Sequence, residues 1–118
     1  MQNAALFTPA KLGSIAVANR IVMAPLTRCR AEAGHVPGAL MAEYYAQRAS
    51  AGLIICEATM AIEGHSAFGG SEPGIYSAAQ VAGWRKVTDA VHAEENAHHV
   101  VSPPLVRITP LDVCFARS

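Results

Sequence analysis

Short apolar runs bounded by turn residues recur through the first part of the chain and predict strands. Residues 7–22 contain two short apolar pieces around a turn signal at residues 11–14, which predicts a small hairpin. Residues 21–24 form a continuous apolar run that Pro25 closes. Such runs suit strands buried on both faces, and proline cannot donate to a sheet ladder, so a buried strand should end there. Residues 53–56 form a second run of this kind.

Two further segments have the spacing of helices. Residues 39–51 precede Gly52, a typical helix stop, and carry large or apolar side chains at helical spacing, namely Leu40, Tyr44, Tyr45 and Ala49. Ser77 and Gln80 resemble a capping box that opens a second helix, which ends at about Ala93. One face of that helix is marked by Val81, Trp84, Val87, Thr88 and Val91.

A long loop separates the second strand from the second helix. Residues 63–77 contain five glycines or prolines, and compact domains seldom keep such loops unless they are functional. The order hairpin, strand, helix, strand, loop, helix predicts right-handed βαβ units and a parallel sheet. A doubly wound sheet and a barrel both begin in this way, and the pattern alone does not separate them.

The pattern changes after Ala93. Residues 94–99 are mostly polar, and the following residues carry prolines at spacings that break both helices and long strands, namely Pro103, Pro104 and Pro110. The sequence therefore predicts an irregular tail, with at most a short extended piece at residues 105–108.

Composition narrows the class of protein without identifying a function. The 118 residues suffice for one domain at most, and 52% hydrophobic against 15% charged residues fits a folded core. Net charge is zero, and no basic patch indicates nucleic-acid binding. The chain opens without the features of a secretory signal, and no run approaches the ~18 apolar residues of a membrane span. Three widely spaced cysteines, Cys29, Cys56 and Cys114, fit a reducing compartment, so a cytoplasmic location is expected.

Residues 19–30, which read NRIVMAPLTRCR, resemble the first barrel strand of the old yellow enzymes and their N-ethylmaleimide-reductase relatives. Further pieces agree with that family in order and spacing: LF at 6–7 with LG at 12–13, EYYAQRA at 43–49, GLIICEAT at 52–59, PGIYS at 73–77 and WRKVTDAVHA at 84–93. One such motif would be weak, whereas the ordered set is specific. The resemblance covers about residues 6–93.

The resemblance implies the N-terminal part of a TIM (β/α)8 barrel, with an opening hairpin and about two βα units. A complete barrel of this class needs roughly 250 residues, so the fold is expected to be incomplete. Residues 1–93 would be a segment of the FMN-binding barrel, and residues 94–118 a divergent tail. A frameshift, a mis-spliced exon or a truncated gene would each produce such a change.

Barrel ligands bind at the C-terminal ends of the strands, so the loops that follow the two predicted strands are the candidate site. A hydroxyl or N–H at the N5/O4 edge of a flavin stabilises its reduced form. By resemblance, Thr27 would bond that edge, Pro25, Leu26 and Ala58 would line it, and Ala24 would allow close backbone approach. Taken alone, a threonine after a strand is more often an ordinary turn residue.

The resemblance also implies an activity: FMN as cofactor, NAD(P)H as reductant, and a small-molecule substrate with an activated alkene. The family's catalytic groups lie beyond the matched region, so no catalytic residue is assigned and the chain is not expected to be competent alone. The alternative is a non-enzymatic truncated fragment or a half-barrel interaction module that self-associates through exposed barrel faces. A third possibility is an unrelated small α/β binding domain, which only the alternation of strands and helices supports.

Three histidines raise the question of a metal site. If the second helix continued past Ala93, His92 and His99 would share a face, and His98 lies beside them. No Cys, Asp or Glu completes a recognisable ligand set, so no metal site is expected.

Overall fold

A computed structural model describes residues 4–96, 107–109 and 113–117. A short 3-10 helix, Ala4–Phe7, precedes strands β1 (Ala10–Leu12) and β2 (Ile15–Val17). The two strands pair antiparallel, with Leu12 opposite Ile15. Gly13 has a φ of 60° in the turn between them, a conformation that glycine adopts without steric cost. The predicted hairpin is confirmed.

The two predicted buried strands pair with each other in parallel. They are β3 (Val22–Met23) and β4 (Leu53–Ile55), and Val22 lies opposite Leu53. Both are shorter than the apolar runs that predicted them. Asn19 joins their N-terminal ends: its Oδ1 accepts hydrogen bonds from the backbone N–H groups of Ile21 (3.0 Å) and Gly52 (2.8 Å).

Helix α1 (Ala39–Ala46) lies between the two strands in sequence, and α2 (Ala78–Asn96) follows β4. α1 ends earlier than the predicted residue 51, because residues 47–50 form turns. Leu40 is 59% exposed and Met41 is buried instead, whereas Tyr45 and Ala49 are buried. Val81 is 42% exposed and is likewise a wrong assignment, whereas the other four predicted positions of the α2 face are buried.

The core lies where both helices pack on β4. Its buried members are Met41, Tyr45, Ala49, Ile54, Cys56, Trp84, Val87 and Val91. These contacts remove apolar side chains of both helices and of β4 from water, which is the usual driving force for such layers.

The predicted capping box is present at the start of α2. The Ser77 hydroxyl accepts a hydrogen bond from the Gln80 backbone N–H (3.2 Å), and Gln80 Oε1 accepts one from the Ser77 backbone N–H (3.1 Å). Gln80 is only 1% exposed, and its Nε2 also donates to the Gly34 carbonyl (2.9 Å). The cap therefore connects α2 to the turn before α1 as well.

Two strands occur in the part of the tail that the structure describes. β5 (Arg107–Thr109) and β6 (Val113–Arg117) pair antiparallel, and β6 also pairs antiparallel with β4, with Ile54 opposite Ala116. The sheet order is therefore β3-β4-β6-β5. β5 overlaps the predicted extended piece at residues 107–108, whereas β6 corrects the prediction of an irregular tail at its own residues. The physical reason is tertiary: β4 offers an edge whose backbone groups need partners.

Candidate functional site

The parallel pairing of β3 and β4 brings the two predicted site loops to one edge of the sheet. Residues 24–27 follow β3, and Ala58 lies three residues beyond the end of β4. Leu26 is 55% exposed, whereas Thr27 and Ala58 are half-buried. Ala24 and Pro25 are exposed. All five predicted residues thus lie at the same end of the strand pair.

Glu57 connects these two loops and is a site residue that the sequence did not single out. Its side chain is 1% exposed. Glu57 Oε2 accepts a hydrogen bond from the Arg28 backbone N–H (3.2 Å), and Oε1 accepts one from the Tyr45 hydroxyl (3.1 Å). The Glu57 backbone N–H donates back to that hydroxyl oxygen (3.0 Å). The only signal in the sequence is an acidic residue directly after a buried apolar run.

Burial has the largest effect on the pKa values of both Glu57 and Tyr45. It raises the pKa of Glu57 above its ordinary value, and the Arg28 N–H and the Tyr45 hydroxyl oppose that rise in part. Burial also raises the pKa of Tyr45, and the neighbouring Glu57 carboxylate adds to the rise. Tyr45 therefore stays protonated and remains a hydrogen-bond donor at any working pH.

A cleft of about 160 Å³ lies beside Glu57. It is lined by Arg28, Arg30, Leu40, Met41, Tyr44 and Glu57. This volume is below the roughly 300 Å³ at which pockets for drug-sized ligands begin. The Arg28 guanidinium lies 5.6 Å from the centroid of the Tyr44 ring, and Arg30 Nη1 donates to the Arg28 carbonyl (3.1 Å). Both arginines thus have local partners.

The long loop after β4 is organised by Glu72, which is 2% exposed. Glu72 Oε1 accepts a hydrogen bond from the Ala67 N–H (2.9 Å), and Oε2 accepts one from the Gly70 N–H (3.2 Å). A hydrogen bond from the Ser66 side chain, with the backbone N–H groups, lowers the pKa of Glu72 to about 2. This loop packs against Ala58 across a small cavity of about 60 Å³ and so forms a wall beside the second predicted site loop.

No group of three metal-ligating side chains occurs in the described part of the chain. His98 and His99 lie outside the described residues, as do residues 105 and 106 of the predicted extended piece. Over the same described part, no helix is both long and apolar enough to cross a bilayer.

Comparison with known proteins gives one family. Residues 5–101 match the NADH:flavin oxidoreductase / NADH oxidase family. A probable flavin mononucleotide-dependent alkene reductase of Leishmania infantum is 55% identical over 87 residues, covering 74% of this chain and 24% of the relative. A chanoclavine-I aldehyde reductase of Penicillium roqueforti is 53% identical over 91 residues, covering 75% of this chain and 24% of the relative.

Comparison with solved structures gives relatives of the same kind. The old yellow enzyme from Trypanosoma cruzi superposes with a TM-score of 0.75 at 52% identity, covering 80% of this chain and 26% of that one. Morphinone reductase gives a TM-score of 0.71 at 52% identity, covering 78% and 24%. The chain thus spans about a quarter of the length of these relatives. The predicted fold, the opening part of a (β/α)8 barrel, is confirmed.

Proposed function

The chain belongs to the NADH:flavin oxidoreductase / NADH oxidase family, and from this premise we propose that it carries part of the FMN site of an ene-reductase-type oxidoreductase. One observation supports the proposal most directly. The loop at residues 24–27 and Ala58 meet at the carboxyl end of the parallel strand pair, where barrels bind their ligands.

The residues at this edge fit a flavin. The Thr27 side chain is half-buried, and within residues 4–96 its hydroxyl has no hydrogen-bond partner, so it is available to a ligand. Ala24, Pro25 and Ala58 add little bulk, and Leu26 supplies exposed apolar surface on which a ring can lie. These are the two features that a flavin edge requires: a donor and an apolar face with close backbone approach.

When bound, FMN supplies hydride transfer from NAD(P)H to an activated alkene of a small-molecule substrate. The residues of this chain hold and orient that group. Thr27 would donate a hydrogen bond to the pyrimidine edge of the ring, where reduction places negative charge, and so would favour the reduced form. Pro25, Leu26 and Ala58 would line the ring. No residue of the chain is assigned to proton transfer or to substrate polarisation, so the chain alone is not expected to complete the reaction.

The test is a titration of the 118-residue chain with FMN, followed by flavin fluorescence and absorbance. We expect quenching with a dissociation constant in the micromolar range. Thr27→Ala should weaken binding about 3- to 10-fold, the size of one hydrogen bond. Thr27→Ser keeps the hydroxyl and should restore affinity. Thr8→Ala, which removes a threonine hydroxyl outside the site that bonds Ala5 and Arg20, is the control. Absence of binding, or equal weakening by Thr8→Ala, would contradict the proposal.

A second function is favoured by a different observation. Val22 and Leu26 are 43% and 55% exposed, and among the described residues β3 is paired on one side only. An open strand edge beside apolar side chains promotes association. We therefore keep a non-enzymatic interaction module as the alternative, with self-association through this edge as its signature.

A further inference from the structure

We propose that Tyr45 and Glu57 act together as the positioning pair of the FMN half-site, fixing the loop after β3 against Ala58. This inference rests on the proposed function, because it explains how the two flavin-facing loops keep their spacing. Neither residue is placed against the cofactor, so both would act through the loops.

The hydrogen bonds of Tyr45 and Glu57 connect three segments: helix α1, the residues after β4 and the loop after β3. We call these bonds the clamp. Glu57 lies one residue before Ala58, and its Oε2 holds the backbone N–H of Arg28, the residue after Thr27. The Tyr45 hydroxyl donates to Glu57 Oε1 (3.1 Å) and accepts from the Glu57 backbone N–H (3.0 Å). The two bonds fix both the side chain and the main chain of Glu57, so its carboxylate presents a fixed acceptor to the first loop.

Both helices support the clamp. Tyr45 lies on α1, is 2% exposed, and its ring centroid is 6.2 Å from that of Trp84 on α2. Trp84 in turn donates its indole N–H to the Gly74 carbonyl (3.1 Å) at the end of the long loop. The packed core thus sets the position of the tyrosine hydroxyl, and the hydroxyl sets the position of Glu57. Rigid support of this kind is what a binding site needs from residues behind it.

Loss of either partner should loosen the first loop without removing any predicted ligand contact. Tyr45→Phe keeps the ring and its packing but removes the hydroxyl that holds Glu57. Glu57→Gln keeps the shape but replaces one carboxylate oxygen with an NH2 group, so either the Arg28 N–H or the Tyr45 hydroxyl loses its acceptor, because the two donate to different oxygens. A matched control is Tyr44→Phe on the same helix, because within residues 4–96 the Tyr44 hydroxyl makes no hydrogen bond.

The experiment measures three quantities in the 118-residue chain: amide hydrogen exchange at Arg28, the FMN dissociation constant, and the absorbance spectrum at saturating FMN. In Tyr45→Phe and Glu57→Gln we expect exchange at Arg28 to rise about tenfold beyond any change in global unfolding, and FMN affinity to fall about tenfold. The bound flavin band should shift towards that of free flavin. A merely structural defect would lower the bound fraction and leave the spectrum of bound flavin unchanged. Tyr44→Phe should change none of the three.

The outcomes separate this inference from the proposed function. If the unmodified chain fails to bind FMN while Tyr45→Phe still releases the Arg28 amide, the proposed function fails and the clamp stands. If the chain binds FMN and both variants leave affinity, spectrum and Arg28 exchange unchanged, the clamp is overturned and the proposed function stands. Should Glu57→Gln prevent folding, Tyr45→Phe alone decides, because it retains the buried ring.

Discussion

At the scale of single residues, two buried glutamates show how local donors decide the charge of a carboxyl group. Burial raises the pKa of Glu57, whereas the pKa of Glu72 is lowered to about 2. The difference lies in the number of donors. Glu72 receives backbone N–H groups of its own loop and the Ser66 side chain, while Glu57 receives fewer donors in a drier site. Glu72 therefore stays ionised, and its carboxylate holds the loop together through hydrogen bonds.

Glu72→Gln should destabilise the protein in a pH-dependent way. The folded-state pKa of about 2 lies below the ordinary value of 4.5, so the charged form stabilises the fold. This contribution is complete above pH 4.5 and is lost as the pH falls through about 2. Urea unfolding of both proteins should show the largest gap near neutral pH and a closing gap towards pH 2. Glu63→Gln, an exposed acid in the same loop, is the control, and a gap independent of pH would contradict the assignment.

The position of the candidate loops could be predicted, but their contacts could not. The two apolar runs predicted that the loops after them lie together, because parallel strands place their carboxyl ends at one edge, and the family resemblance pointed to residues 24–27 and Ala58 within those loops. The role of Glu57 depends on Arg28 and Tyr45, which lie 29 and 12 residues away in sequence. Periodicity contains no information about such pairs, so only the folded chain identifies the clamp.

At the scale of elements, the capping signal of α2 was reliable, whereas the stop signal at Gly52 was not, because turns at residues 47–50 separate it from the end of α1. The capping residues Ser77 and Gln80 predicted the start of α2 correctly. Val81 and Leu40 were grouped by spacing with residues that are buried, but both are exposed. A cap is satisfied within four residues, whereas the buried face depends on how both helices sit on β4. Small errors in face assignment are therefore expected where alanines and apolar residues adjoin.

Ser77→Ala should weaken the N-terminus of α2. The variant leaves the Gln80 backbone N–H without its side-chain acceptor, a loss that typically costs ~0.5–2 kcal/mol. Urea unfolding followed by circular dichroism would measure the change in free energy. Ser71→Ala, an exposed serine ahead of the same helix, should have little effect. Equal stability of the two variants would mean that the cap contributes nothing.

Strand β6 was not predicted, because the edge of β4 with which it pairs lies far away along the sequence. β6 pairs with the edge of β4, so a chain ending at Asn96 would leave that edge open. We expect faster amide exchange at the residues of β4 that face β6, with no change in the β1–β2 hairpin. Ala116→Pro, opposite Ile54, should reproduce the effect, because proline is poorly tolerated inside a strand that pairs with its neighbours. Unchanged protection in β4 would show that β6 does not pair there in solution.

At the scale of the whole molecule, the chain provides about a quarter of the length of its relatives. A closed barrel leaves no strand edge, because each strand pairs on both sides. In the described part of this chain, β3 has β4 on one side only, and the apolar residues near it remain exposed: Ile21 at 40%, Val22 at 43% and Leu26 at 55%. The open edge lies beside the proposed flavin loop. Association and cofactor binding should therefore involve neighbouring surfaces.

Self-association through this edge can be tested with a single substitution that introduces a charge. Val22→Lys places an ammonium group on the open strand, a common way in which proteins block edge pairing. Sedimentation velocity over a concentration series should show the unmodified chain gaining mass with concentration and the variant remaining closer to a monomer. Val81→Lys changes an apolar residue of similar exposure (42%) on α2 and should leave association unchanged. A monomer at every concentration, or equal effects of both lysines, would remove the case for the interaction module. Saturating FMN should also oppose association, because Leu26 cannot cover a flavin ring and a second chain at once.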